Sequence, residues 1–74
     1  MNTKELFGKE VLDVNANKVG KVADINFDMR QGIINHIIVK AGLTKKYDIS
    51  LDKIEKIGDK IILTIVEHAL DKKT

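Results

Sequence analysis

Two runs predict the fold, Val19-Gly20-Lys21-Val22-Ala23-Asp24-Ile25-Asn26-Phe27 and Ile33-Ile34-Asn35-His36-Ile37-Ile38-Val39, joined by a turn that ends at Gly32. In the first run, apolar and polar side chains alternate from Ala23 to Phe27, which is the period-two pattern of a half-buried strand. The second run is β-branched at five of its seven positions and apolar on both faces. Together they predict an antiparallel hairpin that directs Val19, Ala23, Ile25 and Phe27 to the core of a small barrel.

The rest of the chain supplies further short apolar runs separated by turn residues. We predict strands at Lys9–Val14, Tyr47–Ser50, Ile54–Ile57 and Lys60–Ile65, followed by a tail at Val66–Lys73. Closing such strands into a barrel removes exposed sheet edges. The predicted fold class is therefore all-β: a small antiparallel β-barrel of five to six short strands with a short C-terminal tail or helical turn.

Length and composition restrict both the architecture and the classes of function. The 74 residues predict one domain, residues 1–74, and a domain of this size buries only about 60% of its unfolded surface. It has no volume for a deep active-site cleft. The 13 basic and 11 acidic residues are interspersed and give a net charge of +2. A typical nucleic-acid-binding protein concentrates its basic residues on one surface instead.

Cysteine content and hydropathy indicate in which cellular compartment the protein is expected. The chain contains no cysteine, which excludes disulfides, thiolate metal sites and thiol nucleophiles. Residues Met1–Glu5 lack the apolar run of a signal peptide, and no apolar run is long enough to span a membrane. We therefore predict a cytoplasmic protein without a membrane span.

One segment has some features of a calcium-binding loop. The oxygen-bearing side chains fall at four positions of the template, at Asp13, Asn15, Asn17 and Asp24. Lys18 stands where the loop requires glycine, and the flanking sequences are typical of strands instead of helices. A hairpin turn is the favoured interpretation, because Asn and Asp are common turn residues.

The remaining candidates for chemistry are isolated from one another in the sequence. His36 and His68 are the only histidines, and neither has a carboxylate or second histidine at ligand spacing. Ser50 and Thr64 lack a positioned base, and the glycines occur singly, so no phosphate-binding loop forms. We predict that the protein is not an enzyme and has no catalytic residue, metal site or cofactor.

The two-faced second run predicts a binding surface. In a strand, Ile37 and Val39 fall on one face, and Ile34 and Ile38 fall on the other. A strand of a barrel buries only one of its two faces inside the barrel. The second pair must meet other apolar groups. We predict self-association of an isologous homodimer through Ile34 and Ile38, with cover by the tail Val66–Leu70 as the alternative.

A basic segment predicts contact with a partner. Lys45 and Lys46 follow Lys40 closely, and Tyr47 comes directly after them. Lys45, Lys46 and Tyr47 are the predicted partner contacts, for a phosphate group or an acidic surface. The chain has only three aromatic residues, so recognition of single-stranded RNA by base stacking is not favoured.

The order of these runs is similar to a known family. The resemblance rests on Leu6-Phe7-Gly8-Lys9-Glu10-Val11, Val19-Gly20-Lys21-Val22-Ala23-Asp24-Ile25, Gly32 before Ile37-Ile38-Val39, Tyr47-Asp48-Ile49-Ser50-Leu51-Asp52-Lys53-Ile54 and Gly58-Asp59. This pattern resembles the PRC-barrel domain, the small β-barrel of the photosynthetic reaction centre H subunit and of the ribosome maturation factor RimM. The likeness extends from Leu6 to Ile65, and the chain resembles the short stand-alone members common in archaea.

The resemblance implies a function in binding and not in catalysis. It implies an adaptor that docks onto a protein partner, and some short archaeal members are associated with the cell-division apparatus. The alternative implied by RimM is an accessory factor in ribosome maturation or RNA processing that binds a ribosomal protein or RNA. The two differ in salt dependence, because phosphate contacts weaken steeply as salt rises and apolar contacts do not.

Overall fold

The computed structural model describes residues 2–70, which form a curled sheet with one short helix. The elements are α1 (Thr3–Leu6), β1 (Glu10–Leu12), β2 (Lys18–Asp28), β3 (Ile33–Ala41), β4 (Lys45–Ser50), a first 3₁₀ turn (Leu51–Lys53), β5 (Ile54–Ile57), β6 (Ile61–Leu63) and a second 3₁₀ turn (Glu67–Ala69). Helix α1 begins where the side chain of Asn2 accepts a hydrogen bond from the Glu5 N–H at 2.9 Å.

The strands lie in the order β4-β3-β2-β1-β6-β5. Their sheet curls into a half-barrel whose edges are β4 and β5. The predicted barrel-like, nearly all-β fold is confirmed. It differs in one respect from a fully antiparallel sheet, because β1 and β6 run parallel. The first 3₁₀ turn joins β4 to β5 without reversing the direction of the chain, so β5 runs in the same direction as β4. Strand β6, which is antiparallel to β5, therefore runs in the same direction as β1.

The core lies on the inner face of the curl. The directly opposed pairs Ile37–Ile49 and Val39–Tyr47 place four side chains on this face, each at most 3% exposed. The other buried members of the cluster are Leu6, Val11, Val19, Val22, Ile61 and Leu63. Helix α1 therefore contributes to the same core as the strands.

An extra residue interrupts the alternation of β3. His36 lies opposite Asn26, and Ile34 lies opposite Phe27, so Asn35 has no partner of its own on β2. Such a β-bulge exchanges the faces of the residues beyond it. Simple alternation from Ile37 would place Ile34 on the outer face of the sheet. Because of the bulge, Ile34 lies on the inner face instead.

The bulge separates the two isoleucines that were predicted to share a face. Ile34 lines the same inner groove as Ile37. Ile38 lies on the outer face between its opposite residues Asp24 and Asp48, and its side chain is only 5% exposed. The predicted common exposed face of Ile34 and Ile38 is therefore wrong, because sequence parity does not reveal the extra residue in the strand.

Strands β2 and β3 approach each other closely at Gly20. A Cβ atom added to Gly20 would overlap the carbonyl oxygen of Lys40 and lie 3.1 Å from Cγ1 of Val39. Since the carbonyl oxygen belongs to a paired strand, it cannot move aside without breaking the ladder. The curl of the sheet at this point therefore requires a glycine.

A buried carboxylate joins the β1–β2 turn to the tail. Oδ1 of Asp13 accepts hydrogen bonds from the N–H groups of Asn15 and Asn17 at 2.9 and 2.8 Å. Oδ2 accepts one from the N–H of Glu67 at 3.0 Å. Ala16 has a positive φ of 65°, which closes the turn. Of the four residues that match the calcium-loop template, Asp13, Asn15 and Asn17 therefore form a hairpin turn, and Asp24 lies on β2.

The ends of the fold differ in detail from the predicted limits. Strands β1 and β6 are shorter than predicted, because Asp13 begins a turn and Thr64 donates its N–H to the carbonyl of Lys53 at 2.8 Å. The tail contains the predicted helical turn at Glu67–Ala69, and Leu70 packs against the core. Residues 71–73 of the predicted tail lie outside the described residues.

Candidate docking surfaces

An apolar groove opens on the inner side of the sheet, between α1, β3 and β5. It has a volume of about 510 Å³, and its apolar lining consists of Leu6, Ile34, Ile37, Leu51, Ile54 and Ile57. Its base is closed by Ile37, which is 1% exposed, whereas Leu51 and Ile57 are 37% and 43% exposed at the rim. The groove is thus an opening of the hydrophobic core to solvent.

Phe27 extends this apolar surface beyond the groove. It lies directly opposite Ile34, so the two Cβ atoms are about 4.5–5.5 Å apart on one face. Its ring is 52% exposed, because the β2–β3 hairpin continues past the edge of the packed core. The prediction that Phe27 packs into the core is therefore wrong, although its side chain lies on the predicted face.

The three residues predicted to contact a partner, Lys45, Lys46 and Tyr47, lie on β4 and not in a loop. Both lysines are exposed, but Tyr47 lies opposite Val39 in the core and is 3% exposed. Its hydroxyl donates a hydrogen bond to Oε1 of Glu67 at 3.4 Å. Burial raises the pKa of Tyr47, and the Glu67 carboxylate raises it further. The ring therefore anchors the tail, and only the lysines are available to a partner.

His36 and Asp48 form a close pair of titratable side chains on the outer face. Nδ1 of His36 lies 2.5 Å from Oδ1 of Asp48, with the two side chains 42% and 32% exposed. A polar contact between side chains this exposed contributes little to stability. Within residues 2–70, no three or more histidine, cysteine or acidic side chains are grouped as metal ligands.

Asp13 is the charged side chain that the described residues bury most completely, at 1% exposure. It lines a polar depression of about 420 Å³ between the β1–β2 turn and the tail. Burial raises the pKa of the Asp13 carboxyl, but hydrogen bonds from the N–H groups of Asn17, Glu67 and Asn15 outweigh burial and hold the pKa below its ordinary value. Because these donors occupy both oxygens, the carboxylate acts as a structural link.

The half-barrel with its groove agrees with the comparison to known families. The family model of the PRC-barrel domain matches residues 1–70. The chain belongs to the PRC-barrel domain family. PRC-barrel domains are non-catalytic interaction domains, and membership indicates a small protein-interaction module. No curated protein matches the chain.

The family assignment confirms the resemblance found in the sequence. In the part of this PRC-barrel that the structure describes, no helix has the length and apolarity to cross a membrane. The cytoplasmic location, the homodimer and the identity of the partner stay predictions.

Most of the groove was not found from the sequence. Ile34 was identified, but Leu6, Ile54 and Ile57 come from distant parts of the chain and meet only in the folded sheet. The feature of the sequence that pointed to the groove was the helical spacing of Leu51 and Ile54, which predicts a turn with one apolar side. Nothing in the linear sequence places that side against β3.

Proposed function

We propose that this PRC-barrel is a non-enzymatic adaptor of one domain, residues 1–74, that forms a homodimer through its apolar groove. The observation that carries the proposal is the half-exposed ring of Phe27 beside Ile34, next to a groove walled by leucine and isoleucine. Apolar surface left in water costs about 25 cal/mol per Å². A second copy of the chain removes that surface from water on both protomers.

A twofold arrangement satisfies both features at once. In an isologous dimer the same patch faces itself, so Phe27 of one protomer enters the groove of its partner and the reverse contact follows by symmetry. A stable interface buries about 800 Å² per partner, roughly a sixth of the 5090 Å² surface of this chain. A domain of this length has about 4–11 kcal/mol of stability alone, so association supplies a substantial addition.

Of the two isoleucines predicted for self-association, the proposal retains Ile34. Ile34 lines the groove and lies opposite Phe27. Ile38 offers little area to a second copy, because it is 5% exposed on the other face of the sheet.

Analytical ultracentrifugation over a wide range of concentration tests the dimer. We expect the wild type to dimerise and Phe27→Asp to be monomeric but folded, since the ring is half exposed and outside the core. Leu43→Asp is the matched control, because Leu43 is 92% exposed in the β3–β4 turn, away from the groove. A monomeric wild type, or equal dimerisation by both variants, refutes the proposal.

The partner protein is proposed to bind at the other end of β3, where Lys45 and Lys46 are exposed on the adjoining strand. The start and end of the nine-residue strand β3 lie about 26 Å apart, at about 3.3 Å per residue, so a dimer through the groove leaves this end free. The proposed partner is a component of the cell-division apparatus, with a ribosomal protein or RNA as the alternative.

Crosslinked affinity purification from the source cells at low and high salt distinguishes a cell-division partner from a ribosomal protein or RNA. Salt-resistant recovery of division proteins supports the first. Salt-labile recovery of ribosomal particles refutes it in favour of ribosome maturation, because phosphate contacts weaken steeply with salt.

A further inference from the structure

Three lysines form a straight row across the outer face of the sheet. Lys21 on β2 lies directly opposite Lys40 on β3, which in turn lies directly opposite Lys46 on β4. Directly opposed residues share a face, and neighbouring strands are about 4.8 Å apart, so the row spans about 10 Å. All three side chains are exposed. The sequence did not reveal this row, because Lys21 is far from the other two in the chain.

Within residues 2–70, no carboxylate forms a close ion pair with a lysine of the row. Glu10 is the next residue in line, opposite Lys21, but its two oxygens are bound by Lys60 at 2.6 Å and Lys18 at 3.3 Å. Like charges placed directly opposite each other destabilise a sheet. The row is therefore unfavourable for the isolated fold, and an anionic partner would relieve its repulsion.

The neighbouring acidic side chains have other partners. Asp24 and Asp48 lie in the next row along the strands, on either side of Ile38. Oδ1 of Asp24 accepts a hydrogen bond from the Ile25 N–H at 2.8 Å, and Asp48 is paired with His36. They limit the positive area to a single row without pairing with its lysines.

A shallow depression adjoins the row. Its volume is about 400 Å³, and Lys18, Lys21 and Lys40 line it together with Gly20 and Gly42. Gly42 has no side chain to fill the space, and a Cβ atom placed on it would meet nothing within 4 Å. Ammonium groups on its sides and backbone at its base make it a receptacle for a small anionic group, such as a carboxylate.

We infer that the lysine row, with its depression, binds an acidic polypeptide segment of the partner. The inference rests on the proposed adaptor function and specifies the chemistry of the partner. A row about 10 Å long matches two carboxylates on successive same-face residues of an extended segment, which repeat about every 6.6–6.8 Å. Nucleic acid fits less well, because the row is short. Glu10 lies at its Lys21 end and Asp24 and Asp48 flank one side, and these carboxylates would repel a phosphate backbone that continued past the row.

The test is an NMR titration of the ¹⁵N-labelled full chain with a hexaglutamate peptide at low salt. Hexaglutamine and hexauridylate RNA serve as probes of the same length. We expect hexaglutamate to shift the amide resonances of Lys21, Lys40 and Lys46, and hexaglutamine to shift none of them. Tighter binding of the RNA overturns the inference in favour of a nucleic-acid surface.

Two variants test which charges act. We expect Lys40→Gln combined with Lys46→Gln to weaken hexaglutamate binding about fivefold, and Lys56→Gln to leave it within about twofold. Lys56 is a matched control, because it is an exposed lysine on β5 at the far edge of the sheet. Equal weakening by both variants, or no shift in the row, overturns the inference.

Sedimentation of the same samples separates this inference from the proposed dimer. A dimer that does not respond to hexaglutamate refutes the acidic partner alone. A monomer that binds hexaglutamate through the row refutes the dimer alone.

Discussion

At the level of single residues, Gly20 permits a close approach of β2 to β3. Its Cα faces the carbonyl oxygen of Lys40 with no room for a Cβ atom. We expect Gly20→Ala to lower the free energy of unfolding by about 1–3 kcal/mol or more, because forced overlap in a packed region costs that amount. Chemical denaturation measures the change.

The matched control for this substitution is Gly58→Ala. A Cβ atom on Gly58 would meet nothing within 4 Å, and its φ is not positive. We expect its free energy of unfolding to differ from the wild type by no more than about 0.5 kcal/mol. If both variants lose the same stability, the close approach at Gly20 is not the cause.

Asp13 makes stability depend on pH. Its pKa lies below the ordinary value in the folded state, so its contribution is fully present above about pH 4 and is lost as the pH falls through the folded pKa. We expect the melting temperature of Asp13→Asn to be lower than wild type at neutral pH and to change less between pH 4 and 2. Asp59→Asn, an exposed carboxylate in the β5–β6 turn, is the control and should follow the wild type.

The same substitution has a structural consequence that thermal melting does not report. The N–H of Glu67 donates to Oδ2 of Asp13, and this bond holds the tail against the turn. We expect faster amide hydrogen exchange at Glu67 in Asp13→Asn. Unchanged protection there would mean that the contacts of Tyr47 and Leu70 anchor the tail without this bond.

At the level of secondary structure, repulsion within the lysine row destabilises the pairing of β2, β3 and β4. Lys40 lies between two other lysines, so its neutralisation removes both repulsions. We expect Lys40→Gln to raise the free energy of unfolding by about 0.2–1 kcal/mol at low salt. The gain should vanish at about 1 M salt, where the Debye length is about 3 Å.

Lys56→Gln is the comparison for this measurement, because Lys56 lies opposite Ile62 and not another lysine. It should change the free energy of unfolding little at either salt concentration. A loss of stability in Lys40→Gln would show that its aliphatic stem, and not its charge, dominates at this position.

The bulge at Asn35 belongs to the same scale. The strand β3 was correctly predicted from its β-branched residues, but the direction of Ile34 was not. Alternation along a strand is a local rule, and one extra residue reverses it for everything beyond. Pairing with β2 decides where that residue lies.

At the scale of the whole molecule, a homodimer couples stability to concentration. If a second copy covers the groove, each tenfold rise in protein concentration favours the folded dimer by about 1.4 kcal/mol per dimer, which is half of that amount per chain. We expect the melting temperature to rise by about 3–5 °C per tenfold, since about 1 kcal/mol per chain shifts a domain this small by 4–8 °C. Differential scanning calorimetry measures it.

Phe27→Asp should have a melting temperature independent of concentration, because its charge prevents burial of the apolar rim. Leu43→Asp should retain the concentration dependence of the wild type. A wild type whose melting temperature does not change with concentration would contradict self-association.

The sequence by itself determined the all-β class, the central hairpin and the family, because these depend on local side-chain periodicity and on the order of turns along the chain. It also indicated Ile34, Lys45 and Lys46. Only the tertiary structure decided the rest. The groove, the lysine row and the buried positions of Ile38 and Tyr47 depend on strand register and on the curl of the sheet, which bring together residues distant in sequence. Register follows from the pairing of whole strands, and no local pattern in this chain specifies it.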